Sequence, residues 1–95
     1  MAKAVLDGTV LAESDSYEVA EGNIYFPPDS VNWDFFKPGD RQYTCPWKGV
    51  SKYYDIEAGS KVEKNSAWTY PEPKEAAANI KGHMAFHQGA VKVEN

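Results

Sequence analysis

The sequence contains a single cysteine, Cys45, and therefore no cysteine pair of any spacing. A lone thiol cannot form an intramolecular disulfide, and the zinc motifs that depend on paired cysteines are excluded. No stretch reaches the roughly 18 apolar residues of a transmembrane helix, and the N-terminal residues hold no apolar run long enough for a signal peptide. The sequence thus predicts a protein with no membrane partner in a reducing, cytoplasmic setting.

Charge of one sign is not concentrated anywhere in the chain. The net charge is −4, the isoelectric point is about 5.0, and acidic and basic residues are interspersed without a charged tail. Surfaces that bind nucleic acid depend on clustered lysine and arginine side chains. A nucleic-acid partner is therefore not expected.

The chain has only two histidines, His83 and His87. If residues 83–87 form a strand, the two Cα atoms are roughly 13 Å apart, which is too far for both rings to hold one zinc ion. A helix would bring them together, but Gly82 and Gly89 argue against a helix there. We expect neither a metal nor a cofactor.

Aromatic residues are abundant, at 14% of 95 residues, within a hydrophobic content of 42%. Large rings supply much buried area per residue, which suits a small domain with one core. Length and composition predict a single domain over residues 1–95.

The first part of the chain carries two turn signals between short apolar runs. Asp7-Gly8 is typical of a type I′ hairpin turn, and Glu21-Gly22-Asn23 separates two further β-prone runs. Pro27-Pro28 ends the last run because proline cannot donate to a ladder. Four short strands before this point predict an antiparallel sheet.

The remainder alternates between short helical and extended patterns. Helical turns are predicted over 31–36 and stopped by 37–40, and a short helix is predicted over 74–80. The predicted strands cover 42–45, 50–56 and 61–70, followed by a closing hairpin of 83–87 with 91–94.

Residues 41–56 concentrate thiol, amine and aromatic chemistry. Cys45 is a candidate nucleophile if a cation such as Lys48 stabilises its thiolate, and otherwise it is a buried, inert thiol. Lys48 beside Gly49 could contact an anionic group or could be a solvated turn residue. The tyrosines and tryptophans could stack bases or pair across strands, and a subset lining a pocket with Lys48 is a further interpretation.

Three segments, 25–31, 44–54 and 67–73, with Ala85-Phe86 after them, together resemble the family called domain of unknown function 427. The resemblance implies a mainly β fold in which two small antiparallel sheets pack like a tent, with one or two short helices. Some classifications attach a nucleotidyltransferase label to this family. The closely spaced acidic metal ligands and the glycine-rich loop that such enzymes need are absent. The residues that match the family pattern are Tyr25, Asp29, Cys45, Lys48, Gly49, Tyr53, Trp68 and Tyr70.

The leading hypothesis is a module that binds an unknown small molecule in an aromatic pocket. Rings would form its walls, Lys48 would meet an anionic or carbonyl group, and Asp29 or Asp55 would accept a hydrogen bond. The expected ligand-binding residues are Tyr25, Asp29, Cys45, Lys48, Tyr53 and Trp68.

Two other functions stay open at this point. The chain could be a small enzyme that uses Cys45 or Lys48 on a carbonyl or nucleotide-like substrate. It could instead be a structural or protein-interaction domain, as a monomer or as a weak homodimer formed through an exposed strand edge.

Overall fold

The computed structural model describes residues 1–95 as nine strands in three sheets. The strands are β1 (Ala2–Leu6), β2 (Thr9–Ser14), β3 (Glu18–Ala20), β4 (Asn23–Tyr25), β5 (Phe36–Cys45), β6 (Gly49–Ala58), β7 (Lys61–Thr69), β8 (Met84–Phe86) and β9 (Lys92–Glu94). Their orders are β2-β1-β9, β3-β4 and β5-β6-β7-β8, and every strand pair is antiparallel. The predicted mainly β class with antiparallel sheets is confirmed, and the small β3-β4 sheet is an addition to the two expected.

Both predicted N-terminal hairpins are confirmed, but they belong to two separate sheets and not to the one antiparallel sheet expected of these four strands. Asp7 and Gly8 have φ angles of 50° and 79°, and Glu21 and Gly22 have φ angles of 52° and 80°. Positive φ at both central positions is the type I′ geometry, whose twist matches that of the flanking strands.

The helical segments are short 3-10 turns at Pro28–Ser30, Trp33–Phe35 and Glu75–Ile80. They lie at or near the two predicted helical segments. None of them is long and apolar enough to cross a membrane.

Strand β5 begins earlier than expected, because residues 37–40 continue it instead of stopping a helix. Pro38 pairs with Tyr54, and pairing resumes at Gln42 with Lys52. As β5 is an edge strand, the missing N–H of Pro38 does not interrupt the interior of the sheet. The intervening residues 39–41 bulge out of the ladder.

The predicted closing hairpin is wrong. β8 pairs with β7, whereas β9 pairs with β1 in a different sheet. After β8 the chain turns at His87, whose carbonyl accepts the N–H groups of Ala90 and Val91 at 3.0 Å. β8 and β9 thus pair with other strands and not with each other. Local turn signals do not determine such pairings.

The four-stranded sheet has two faces with different roles. Its core face packs against β1 and β2 in a cluster of 14 buried residues that includes Leu11, Ile56 and Phe86. Its opposite face, here called the site face, carries a second cluster of buried residues together with the 3-10 turn Glu75–Ile80. Because side chains alternate along a strand, Ala85 projects to the site face while its neighbours project to the core.

Adjacent residues Tyr25 and Phe26 divide between these two clusters. Phe26 and Met84 exchange two backbone hydrogen bonds of 2.8 Å, which attach the end of β4 to the edge of β8. The Phe26 ring is fully buried, with its centroid 5.7 Å from that of Phe86.

We expect Phe26→Ala to reduce the free energy of unfolding by about 3–5 kcal/mol, because it leaves a cavity in the larger cluster. Urea unfolding monitored by circular dichroism measures this loss. The control is Val62→Thr, on a side chain that is 55% exposed, with an expected change within about 0.5 kcal/mol. Equal effects of the two substitutions would contradict this account of the core.

Candidate functional site

The bend between β5 and β6 is a three-residue loop of Pro46, Trp47 and Lys48. Cys45 and Gly49 pair at its base, and Gly49 has a φ of 107°, in the left-handed region that favours glycine. Residue Lys74 holds the loop from outside the hairpin. Its N–H donates to the carbonyl of Lys48 at 2.9 Å, and its Nζ donates to the carbonyl of Pro46 at 2.7 Å.

The amine of Lys48 is buried beneath the bend, with 6% of the residue exposed. Its Nζ pairs with Glu21 from the β3-β4 turn, and it lies 5.0 Å from the ring centroid of Trp47 and 5.4 Å from that of Tyr70. Burial lowers the pKa of Lys48 below its ordinary value of 10.5. The carboxylate and two ring faces therefore supply the electrostatic partners that this buried cation requires.

A buried group of two phenols and one thiol lies next to Lys48. Tyr25, Cys45 and Tyr70 are between 1% and 5% exposed and belong to one cluster on the site face. Burial raises the pKa of Tyr70 well above 10.0, and the neighbouring Tyr25 and Cys45 raise it further. Burial also raises the pKa of Tyr25, partly offset by the hydrogen bond from Trp68. Both phenols are thus held in the neutral form.

A row of rings leads from this buried group to the surface. The indole Nε1 of Trp68 donates to the hydroxyl of Tyr25 at 3.2 Å. Trp68 and Tyr53 are cross-strand partners on β7 and β6, with ring centroids 5.8 Å apart. The guanidinium carbon of Arg41 lies 4.9 Å from the centroid of Tyr53. Arg41 and the two rings thus extend the row from Tyr25 to the mouth of a recess.

The recess has a volume of about 520 Å³. It is lined by Arg41, Tyr53, Lys64, Asn65, Trp68 and His87. Arg41 and Lys64 are the cationic residues of this lining, and Tyr53 and Trp68 provide its aromatic surface.

Two bulges on either side of β6 shape this recess. Residues 39–41 of β5 lie opposite Tyr53 alone, and residues 64–66 of β7 lie opposite Asp55 alone. Asn65 connects the bulges and has a φ of 51°, which is uncommon outside glycine. Asparagine adopts this left-handed conformation more readily than most residues, and surrounding contacts hold it in place here.

Those contacts come from both bulges. The N–H of Asn65 donates to Asp55 Oδ1 at 2.8 Å, and its Nδ2 donates to Asp40 Oδ1 at 2.7 Å. The N–H of Arg41 donates to Asn65 Oδ1 at 3.3 Å. A side chain at Gly39 would overlap that same Oδ1, so glycine permits the close approach. The hydrogen bond from Asn65, together with Lys64, lowers the pKa of Asp55.

Comparison with protein families matches the whole chain, residues 1–95, to the domain of unknown function DUF427. The chain belongs to the DUF427 family. This confirms the resemblance inferred from the sequence motifs. A comparison with curated proteins finds no match.

In this DUF427 chain the sequence-predicted site residues occupy three kinds of position. Tyr53 and Trp68 line the recess, while Tyr25, Cys45 and Lys48 are buried and do not line it. Asp29 is exposed on the turn Pro28–Ser30, and its carboxylate forms no hydrogen bond or ion pair with the others. No group of three or more histidine, cysteine or acidic side chains converges in a way that could hold a metal ion.

Three residues of the site were missing from the expected set. The predicted strand of residues 42–45 excludes Arg41. The two-residue spacing of Arg41, Tyr43 and Cys45 nevertheless indicates one strand face. Tyr70 matched the family pattern, but its position next to a proline suggested only the end of a strand. Glu21 had no sequence signal, because its contact with Lys48 depends on a hairpin packing 27 residues away.

A second, larger groove of about 710 Å³ lies between the β5-β6 hairpin and residues 71–74. Only one of its lining residues, Val50, is hydrophobic. Arg41 lines this groove as well as the recess, but the groove lacks both rings of the aromatic row. We therefore centre the site on the smaller recess, where aromatic and basic groups converge.

We expect Tyr70→Phe to reduce the loss of stability at alkaline pH. Above about pH 10 the unfolded chain releases phenolic protons that the native Tyr70 retains, so the free energy of unfolding falls as pH rises. Lys48, whose pKa is lowered in the folded protein, changes the free energy of unfolding in the opposite direction near its ordinary pKa of 10.5. The slope of the unfolding free energy against pH is therefore compared between variants. Urea unfolding across this range measures it, with Tyr25→Phe as the second variant. Identical slopes in all three proteins would contradict burial as the cause.

We expect a coupling free energy of about 1 kcal/mol between Glu21 and Lys48, since Lys48 is buried but the Glu21 side chain is 51% exposed to screening solvent. A double-mutant cycle of Glu21→Gln and Lys48→Met, read by urea unfolding, measures it. Strictly additive effects would show that the ion pair contributes nothing. The matched control is the exposed pair Lys37 and Glu57, for which we expect a smaller coupling.

Proposed function

We propose that this DUF427 chain is a small-molecule-binding module whose ligand occupies the recess over Tyr53 and Trp68. The observation that carries the proposal is the convergence of two adjacent rings and several polar groups in one concavity of about 520 Å³. Ligand sites in proteins are typically concave, partly aromatic and supplied with a few polar groups that orient the ligand.

The buried cluster that contains Tyr25 supports this role by holding one ring of the recess in place. Tyr25 is 1% exposed and accepts the hydrogen bond of the Trp68 indole, so the orientation of that ring is constrained. Cys45 and Tyr70 pack in the same cluster as Tyr25. A site whose walls are already ordered loses less conformational entropy when a ligand binds.

Lys48 contributes to the same support in this proposal. Its amine is paired with Glu21 within the chain, and its stem is buried beside Tyr70. We assign it the task of joining the β3-β4 turn to the bend of β5 and β6. Contact with the ligand then belongs to residues at the recess itself.

The proposal predicts that ring-containing ligands change the environment of Trp68. The three tryptophan indole N–H signals in a nitrogen-15 correlation spectrum report on Trp33, Trp47 and Trp68 separately. A library of small aromatic metabolites is screened first by thermal shift, where a ligand at 100 times its Kd stabilises by about 2.7 kcal/mol. Each hit should shift the Trp68 indole signal more than those of Trp33 and Trp47.

Trp68→Ala should abolish binding of the hits, whereas Trp33→Phe, outside the recess, should leave their Kd unchanged. Because Trp68 supports Tyr25, Trp68→Phe is the variant that keeps a ring while removing the hydrogen bond, and it should retain weaker binding. Hits that move only Trp33 or Trp47, or a library without hits, would overturn the proposal.

A further inference from the structure

Arg41 is the only arginine in the chain, and its side chain has no acidic partner. Five of the nine lysines form ion pairs, yet the guanidinium of Arg41 makes no hydrogen bond to any group of the protein. It lies over the ring of Tyr53 at the recess, 4.9 Å from the centroid. Its N–H donors are therefore available to a ligand.

The chain holds the backbone of Arg41 in an irregular position. The bulge that contains it is fixed by Asn65, which accepts the Arg41 N–H and donates to Asp40. Gly39 makes room for the amide of Asn65. The left-handed Asn65, the space at Gly39 and a long-range amide contact thus act together on the segment that presents Arg41.

The acidic groups near Arg41 are engaged elsewhere. Asp40 Oδ1 accepts from Asn65 Nδ2, and Asp55 accepts from Asn65 N–H and from Lys64 Nζ at 3.2 Å. Neither carboxylate neutralises the guanidinium. Arg41 is consequently the cation of the recess that has no ion-pair partner, in a protein whose net charge is −4, whereas Lys64 at the same rim is paired with Asp55.

We propose that Arg41 binds a carboxylate or phosphate group of a ring-bearing ligand in this recess. The inference rests on the proposed function and assigns the ligand class: a planar aromatic acid. A guanidinium presents two parallel N–H donors that match the two oxygens of such a group, a geometry that lysine cannot supply. Stacked on Tyr53, Arg41 is oriented before the ligand arrives, and the ligand ring contacts Trp68.

The test compares benzoate and phenyl phosphate with neutral benzamide as probes of the full chain. Titrations that follow the Trp68 indole signal give the Kd of each probe. We expect both anions to bind at least about tenfold more tightly than benzamide, because a charge-assisted hydrogen-bond pair is lost with the neutral probe. Raising NaCl from about 0.05 to about 0.5 M should weaken the anions and leave benzamide unchanged.

Two substitutions at Arg41 separate charge from geometry. Arg41→Gln should weaken the anions about tenfold and bring them level with benzamide, and Arg41→Lys should restore only part of the loss. Arg41 is exposed, so both variants should keep the wild-type unfolding midpoint. The control is Lys61→Gln, which makes the same change in net charge at an exposed residue without an ion pair and should leave every Kd unaltered.

The outcomes distinguish this inference from the function on which it rests. Equal binding of benzamide and benzoate at Trp68, or anion binding unchanged in Arg41→Gln, would overturn the role of Arg41 while leaving a ring-binding recess. If the anions bind without shifting the Trp68 indole signal, and inorganic phosphate binds as tightly as phenyl phosphate, the assignment of an aromatic acid as the ligand class is overturned. No binding of any probe would overturn both.

Discussion

The pair of backbone hydrogen bonds between Phe26 and Met84 determines how neighbouring side chains are divided between the two buried clusters. By attaching β4 to the edge of β8, it sends Phe26 into the larger cluster and Tyr25 to the opposite face of the four-stranded sheet. The same alternation places Ala67 in the core and Trp68 at the site. One ladder contact thus supplies both the stabilising interior and the support of one recess ring, because neighbouring residues on a strand must face opposite ways.

Lys48 and Arg41, two cations that lie against aromatic rings, differ in burial and in pairing. Lys48 is buried, and its charge is compensated by Glu21 and two ring faces. Arg41 is exposed and compensated only by the face of Tyr53. The charge of Lys48 is thus compensated within the chain, whereas Arg41 has no carboxylate partner.

The sequence predicted those features that depend on neighbouring residues. Asp7-Gly8 and Glu21-Gly22 specify their turns locally, and the family motifs drew attention to Tyr53 and Trp68. It could not predict that Glu21 reaches Lys48, that β9 joins β1, or that Asn65 crosses β6 to reach Arg41. Each of these is a long-range contact whose partner is selected by packing. Pro38 and Gly39, which usually end an element, concealed the first half of β5.

The bulge at residues 39–41 also affects the exposed border of the sheet. β5 is an edge strand of ten residues, and an edge of that length, if flat, would pair readily with the edge of another molecule. Pro38 removes one donor, and the bulge twists the strand away from a regular ladder. Intermolecular sheet extension, the first step toward aggregation, is therefore opposed at the same segment that presents Arg41.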